Sequence, residues 1–410
     1  MHLKFIMRSL QSAWATGILP PADLCPDRLR AMAEKETGLT ADTHADRAFF
    51  ERQLAVLLPA LHHEARLTGF GRLIAHGSLL KVMKERLWAE ALFAEHPEID
   101  EIQLAPPVIV VGPMRSGTTR LQRLLACDPQ FTALKLYEAS CPVPWPRSFT
   151  GRQDPRIAYV ARGHRLLTSI NPATAHIHPT GPLEVDEELG LNEQSLSGAL
   201  IEAQRRVPSF ARHCEAVDQL PVYARLARLL KLRTWFTGED PAKPFILKTP
   251  QHMQDLAALH ATFPDATLLF LSRDPVSVVA SGASLAWNQM VIQSDHVDPH
   301  WIGREWLHKT GHRLDVTRRV RAGMPAALQH DVEFEAMNRD WRGAIARIYR
   351  QLRRELTPAT LAAMEAYTAR AAADHGFSRH RYHLADFGLS PHEVRDALSD
   401  HWHEPALQAA

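Results

Sequence analysis

A four-residue apolar run, Val108-Ile109-Val110-Val111, enters a loop bounded by Gly112 and Gly117. The chain leaves that loop directly into Leu121, Leu124 and Leu125 at helical spacing. A buried strand, a tight glycine-containing loop and a helix start, in that order, form a cradle for an anion. The first turn of a helix leaves backbone N–H groups without partners, and the helix dipole favours negative charge there. Glycine lets the loop turn sharply and lets an anion approach the backbone. The hydroxyls of Ser116, Thr118 and Thr119 add further donors.

Two later runs extend the unit to a sheet. Phe245-Ile246-Leu247 leads into Lys248-Thr249-Pro250-Gln251-His252. Residues 267–271 lead into Ser272-Arg273-Asp274-Pro275 and a helix carrying Val278, Val279 and Ser281. Near-continuous apolar strands, each followed by a helix, mark a parallel sheet covered on both faces. Ligands of such sheets sit at the carboxyl ends of the strands, where Arg115, Lys248 and Arg273 fall. These three cations are expected to share one crevice. A short fourth strand is expected near 327–332. The predicted fold is α/β: a P-loop-type parallel sheet flanked by helices over 105–410, with a helical N-terminal extension over 1–104.

That extension shows Phe50, Leu54, Leu57, Leu58 and Leu61, then Leu79, Leu80, Met83, Leu87 and Leu92, at helical spacing. Pro20-Pro21 and residues 38–43 divide it into three helices, suited to pack on the sheet domain or to serve contacts in a homo-oligomer. Further helices are expected over 154–170, from Leu189, and over 221–236, 299–322, 338–356, 358–375 and 391–402. The proline-rich stretch from Glu138 to Pro146 reads as a loop.

Composition narrows the function. A net charge of +1 offers no global basic field for nucleic acid. Cys25, Cys127, Cys141 and Cys214 are scattered without paired spacing, which predicts reduced thiols in a cytoplasmic protein and no zinc site. The longest apolar runs are of strand length, so no membrane span is expected. Lys4 and Arg8 flank too short an apolar patch for a signal peptide. Asp274, between Arg273 and a proline, suits an ion pair or a turn better than a magnesium site, and no metal is expected.

Within the loop, one substitution decides against an ordinary triphosphate site. A nucleotide-triphosphatase loop carries lysine directly after its second glycine; here Thr118 stands there, and the cation lies inside the loop at Arg115. Phosphoryl-like transfer without a metal must neutralise charge with Arg, Lys and helix N-termini. A P-loop nucleotide kinase and a non-catalytic nucleotide-binding protein stand as alternatives. Two histidines and four acidic residues fall within 176–188, a density that suits a functional loop or a solvated helix start.

The segment Pro113-Met114-Arg115-Ser116-Gly117-Thr118-Thr119 resembles the 5′-phosphosulfate loop of sulfotransferases that use 3′-phosphoadenosine 5′-phosphosulfate. Arg273 and Ser281, eight positions apart after a strand, resemble that family's 3′-phosphate signature. Phe245 to His252 is similar to a strand of the bacterial branch, which is related to the tyrosylprotein sulfotransferases; by that likeness Lys248 stabilises the transferring sulfuryl group. Residues 379–389 resemble the C-terminal segment of the bacterial branch, which implies that Arg379 and Arg381 cover the 3′-phosphate. Where bacterial relatives show Arg-Tyr-Glu-Asp-Leu, this chain has Asp331-Val332-Glu333-Phe334-Glu335, which counts against an active-site role there.

The resemblance implies sulfuryl transfer by in-line displacement to a hydroxyl on a small molecule, lipid or carbohydrate. Removing the acceptor proton as the bond forms lowers the barrier. His178, in His-Pro-Thr-Gly, and Glu138, placed after the loop helix as the tyrosylprotein branch places its glutamate, are the leading candidates for the base. Glu184, Glu187 and His252 follow. Residues around Cys141 to Trp145, the 176–188 loop, Trp287 and Trp301 are the candidate acceptor walls.

Overall fold

Four strands, β1 (Val108–Val111), β2 (Ile246–Lys248), β3 (Thr267–Ser272) and β4 (Gln329–Glu333), form one wholly parallel sheet in the order β2-β1-β3-β4 in the computed structural model. Residues 12–14, 16–18, 22–40, 43–150, 153–177, 179–373 and 382–401 are described. β1 lies at the centre, with Ile109 opposite both Leu247 and Leu268. Its four side chains are all buried, which is why its sequence shows no polar alternation.

Helices cover both faces of the sheet. Ile109, Val111, Leu247, Leu268 and Phe270 pack against the Leu220–Thr237 helix through Leu226, Leu229 and Leu230. On the other face Val110, Leu269 and Leu271 meet Leu121, Leu124 and Leu125 of the Thr118–Leu125 helix and Ile345 and Ile348 of the Trp341–Gln351 helix. β4 is the polar edge: only Val332 is buried, and Asp331 pairs with Arg321 at 2.9 Å. A strand with one buried side chain carries little apolar signal, so its sequence trace is weak.

The N-terminal helices Arg47–His63 and Gly69–Glu95 join this core, since Phe49, Ala89 and Phe93 share the cluster around β1, while the Pro26–Thr37 helix packs on them through Leu29 and Ala33 in a second cluster. An ionic knot also ties them in. Arg86 donates to Asp46 Oδ1 at 2.7 Å and to the Gln194 carbonyl at 2.7 Å, while Arg225 lies 3.3 Å from Glu90. Arg86 and Arg225 are both 1% exposed. Removing one partner of a buried pair leaves an uncompensated charge, so Arg86→Ala is expected to cost about 3–5 kcal/mol. Urea unfolding should show this as a lower midpoint.

The structure departs from the expected elements in three places. The helix expected over 338–356 is two, Phe334–Arg339 and Trp341–Gln351, because the Asp340 side chain accepts the Gly343 N–H and caps a new start. The proline-rich stretch holds a short helix, Leu136–Ser140, started by a capping box in which Glu138 accepts the Lys135 N–H. The chain from Leu189 breaks into the short helices Leu189–Glu193, Gly198–Gln204 and Pro208–Ala216.

Candidate active site

The loop after β1 is built on two left-handed residues, Arg115 at φ 68° and Gly117 at φ 84°. Glycine takes that region freely, whereas an arginine pays about 1–2 kcal/mol for it. Three contacts offset the cost. Arg115 Nε donates to Ser281 Oγ at 3.0 Å, its Nη1 donates to the Ile177 carbonyl at 3.0 Å, and Arg273 donates to the Arg115 carbonyl. Ser116 Oγ donates back to the Pro113 carbonyl at 2.7 Å, closing the turn. Gly117 caps the Thr118–Leu125 helix without a side-chain acceptor, so the first-turn N–H groups keep their capacity for an anion.

The loop thus meets the Pro275–Met290 helix after β3, and the two elements that carry the phosphate-type signatures converge. Asp274, read from the sequence as an ion-pair or turn residue, caps that helix by accepting the Ser277 N–H at 2.9 Å. Burial pulls the Arg115 guanidinium below its usual pKa; Arg273 adds to the shift, while Tyr382 and Glu187 oppose it. An arginine stays protonated despite such a shift. The result is a partly buried pair of arginines at the junction of the loop and the Pro275–Met290 helix.

Phe334, just beyond β4, was missed at the sequence level. The Arg273 guanidinium lies 4.2 Å from the centre of its ring. A Cβ built on Gly117 would lie 2.7 Å from the ring edge. The missing Arg-Tyr-Glu-Asp-Leu pattern counted against this segment, yet its position at a strand end was the better signal. Gly117→Ala is therefore expected to push Phe334 off Arg273 and to strain the loop, at about 1–2 kcal/mol or more. Calorimetry should show binding of adenosine 3′,5′-bisphosphate at least roughly tenfold weaker.

The end of β2 supplies the third cation. Lys248 Nζ donates to Thr119 Oγ1 at 3.0 Å and forms an ion pair with Glu187. Its backbone N–H donates to Glu188 Oε2 at 3.0 Å, while Glu188 Oε1 lies 2.5 Å from His252 Nε2. His252 Nδ1 lies 2.9 Å from the Tyr223 hydroxyl. His252 and Glu188 are both fully buried. This network fixes the β2 end from beneath and leaves Lys248 aimed at the loop.

The acidic loop is strapped to the cradle. Arg123 donates to the carbonyls of Val185 at 2.9 Å and Pro179 at 3.2 Å, and Thr180 donates to Asp186 at 2.6 Å. Asp186 and Glu188 are buried, while Glu184 is exposed. Glu138 is also buried, with Oε2 taking the Lys135 N–H and Oε1 facing Arg233 Nε at 3.1 Å. Its two oxygens are engaged away from Lys248 and Arg115. His178, Arg379 and Arg381 lie outside the described residues. Among the described residues, no group of three or more His, Cys, Asp or Glu side chains is arranged to hold a metal ion.

A strand–loop–helix cradle with cations from three adjacent strand ends defines a P-loop-type α/β protein with a candidate anion site at the carboxyl edge of its sheet. Residues 106–358 match the model of the sulfotransferase family, and the chain belongs to that family. Omega-hydroxy-beta-dihydromenaquinone-9 sulfotransferase Stf3 from Mycobacterium bovis is 28% identical over 200 residues, covering 48% of this chain and 48% of that protein. The Mycobacterium tuberculosis protein of the same name gives the same figures. The chain thus spans about half the length of the curated relatives it matches. Among solved structures, sulfotransferase STF1 from Mycobacterium tuberculosis H37Rv superposes with a TM-score of 0.80 at 29% identity, over 93% of this chain and 100% of that one. Sulfotransferase STF9 from Mycobacterium avium has the same fold, with a TM-score of 0.80 at 23% identity over 92% and 96%.

Proposed function

We propose that this protein transfers a sulfuryl group from 3′-phosphoadenosine 5′-phosphosulfate to an acceptor hydroxyl, by in-line displacement and without a metal. The observation that carries the reading is the contact of Arg115 with Ser281, together with that of Arg273 with the Arg115 carbonyl. It joins the 5′-type loop to the 3′-type helix, as a donor with phosphate on both sides of its ribose requires. Arg115, Ser116, Gly117, Thr118 and Thr119 hold the 5′ side. Arg273 and Ser281 hold the 3′-phosphate, and the family resemblance assigns Arg379 and Arg381 to the same phosphate. Lys248 faces the transferring group. The donor brings an activated sulfur–oxygen bond, and the cations neutralise the charge that grows on the departing phosphate.

The acceptor we infer is a hydroxyl on an apolar molecule. The Stf3 relatives are named for a hydroxylated menaquinone, and Leu183 in the acidic loop and Trp287 on the Pro275–Met290 helix, the helix that carries Ser281, are exposed apolar side chains. Among the described residues no helix is long and apolar enough to cross a membrane, and we place the protein in the cytoplasm. A labelled-donor screen against hydroxylated isoprenoids, sterols, phenols and sugars tests the reading. Label transfer to isoprenoid or sterol hydroxyls is expected; transfer to sugars alone would overturn the apolar acceptor. Transfer to none, with magnesium-dependent turnover of ATP, would overturn the donor.

A further inference from the structure

We propose that Arg205 and Arg206 form a further anion site, which holds the carboxylate of a small organic acid away from the nucleotide cradle. The proposal stands independently of the sulfuryl-transfer reading. The site lies where three helix ends meet: the close of Gly198–Gln204, the close of Pro275–Met290 and the start of Pro299–Arg321. A pocket of about 290 Å³ opens there, lined by both arginines, Met290, Gln293, Val297 and Trp301 among others. Drug-sized ligands occupy roughly 300–1,000 Å³, so the occupant is small. Met290 lies about 13 Å beyond Ser281 along their shared helix, at about 1.5 Å per residue, which separates the pocket from the cradle.

Arg205 is the residue that calls for an anion. It is 5% exposed, its Nε donates to the neutral Gln293 Oε1 at 2.9 Å, and its Nη2 is buried with no hydrogen-bond partner. Among the described residues no carboxylate forms an ion pair with it. Glu193 acts on it from a distance but pairs with Lys81, at 3.6 Å. Burial pulls the Arg205 guanidinium down to about 10, which still leaves it charged at neutral pH. Buried charges in folded proteins are paired, because desolvation otherwise goes uncompensated. Arg206 repeats the pattern: its Nε is buried without a partner, and its guanidinium lies 5.0 Å from the centre of the Trp301 ring.

The wall around these donors is fixed in advance. The Gln293 carbonyl accepts the Thr68 N–H at 2.9 Å, and a Cβ on Gly71 would collide with that same oxygen, so this turn sits directly on the Gly69–Glu95 helix. Ser294 donates to the Arg66 carbonyl at 2.8 Å. Asp298, exposed at the rim, accepts the His300 N–H at 2.9 Å and pairs with neither arginine. A planar guanidinium fork matches the two oxygens of a carboxylate. Met290, Val297 and Trp301 offer apolar surface to the short carbon tail behind it.

The test titrates butyrate, its neutral isostere butyramide and inorganic sulfate by calorimetry into wild type, Arg205→Met and Arg206→Gln, with and without adenosine 3′,5′-bisphosphate. Wild type should bind butyrate saturably and butyramide not at all. Arg205→Met should weaken butyrate at least roughly tenfold, the scale of one charge-assisted hydrogen bond, and Arg206→Gln should weaken it roughly threefold. The bisphosphate should leave butyrate affinity within about twofold, since the two ligands occupy different places. Without any ligand, Arg205→Met should unfold at an equal or higher urea midpoint, because it removes a buried charge that has no protein counter-charge. Butyrate binding that is absent in wild type, unchanged in Arg205→Met or abolished by the bisphosphate would overturn the site. Binding of sulfate without butyrate, or of butyramide as well as butyrate, would overturn the carboxylate. An Arg205→Met chain that fails to fold would show that the protein itself holds this arginine, and would overturn the proposal equally.

Discussion

Replacing Arg273 by alanine is expected to weaken binding of adenosine 3′,5′-bisphosphate by about 100-fold. A hydrogen bond to a charged group contributes about 1.5–3 kcal/mol, and each 1.4 kcal/mol is tenfold in affinity. Arg273 has two roles that alanine cannot fill. It donates to the Arg115 carbonyl, holding that residue in its left-handed conformation, and it presents a guanidinium backed by the Phe334 ring. Its loss therefore removes one cation and loosens another. Arg115→Ala should cost at least as much, because its contacts to Ser281 and Ile177 join the loop to the neighbouring helices. Isothermal titration calorimetry measures both. Unchanged affinity in both variants would remove the two arginines from the nucleotide site.

Lys248→Ala should divide binding from chemistry. The lysine faces Thr119 and Glu187 at the mouth of the loop, while Arg115 and Arg273 lie on the side of Ser281. A cation aimed at charge that develops only in the transition state contributes to kcat more than to ground-state binding. Removing such a donor costs about 100- to 1,000-fold in kcat. The bisphosphate product, which lacks the sulfuryl group, should bind Lys248→Ala within about threefold of wild type. Equal losses in kcat and in bisphosphate affinity would instead place Lys248 among the nucleotide-holding residues.

Much of this architecture was legible because the buried strands carry an unmixed signal. β1, β2 and β3 are apolar along almost their whole length, and each ends in a cation or a glycine that marks the carboxyl edge. Convergence of Arg115, Lys248 and Arg273 follows from parallel strands alone, since all three ends lie on one side. β4 was faint because its side chains alternate between Val332 and solvent. Phe334 was missed because its role depends on a close approach to Gly117 that no local pattern encodes.

The acidic loop shows the opposite limit. Its composition fits a solvated helix start as well as a functional segment, yet Asp186 and Glu188 are buried and bind across to the loop helix and to β2. Burial of that kind is set by tertiary packing through Arg123, far from the acids in sequence. Glu138 illustrates the same point: a spacing suggestive of catalysis is occupied by a capping box and a pair with Arg233.

The central claim is that the site is anchored at both the 5′ and the 3′ side of one nucleotide. Titration of the wild-type protein with adenosine 3′,5′-bisphosphate and with adenosine 5′-monophosphate tests it most directly. The two ligands share the base, the ribose and the 5′-phosphate and differ only at the 3′ position. With Arg273 and Ser281 holding a 3′-phosphate, the bisphosphate should bind about 100-fold tighter, the worth of one or two charge-assisted hydrogen bonds. Equal affinities for the two nucleotides would contradict the account.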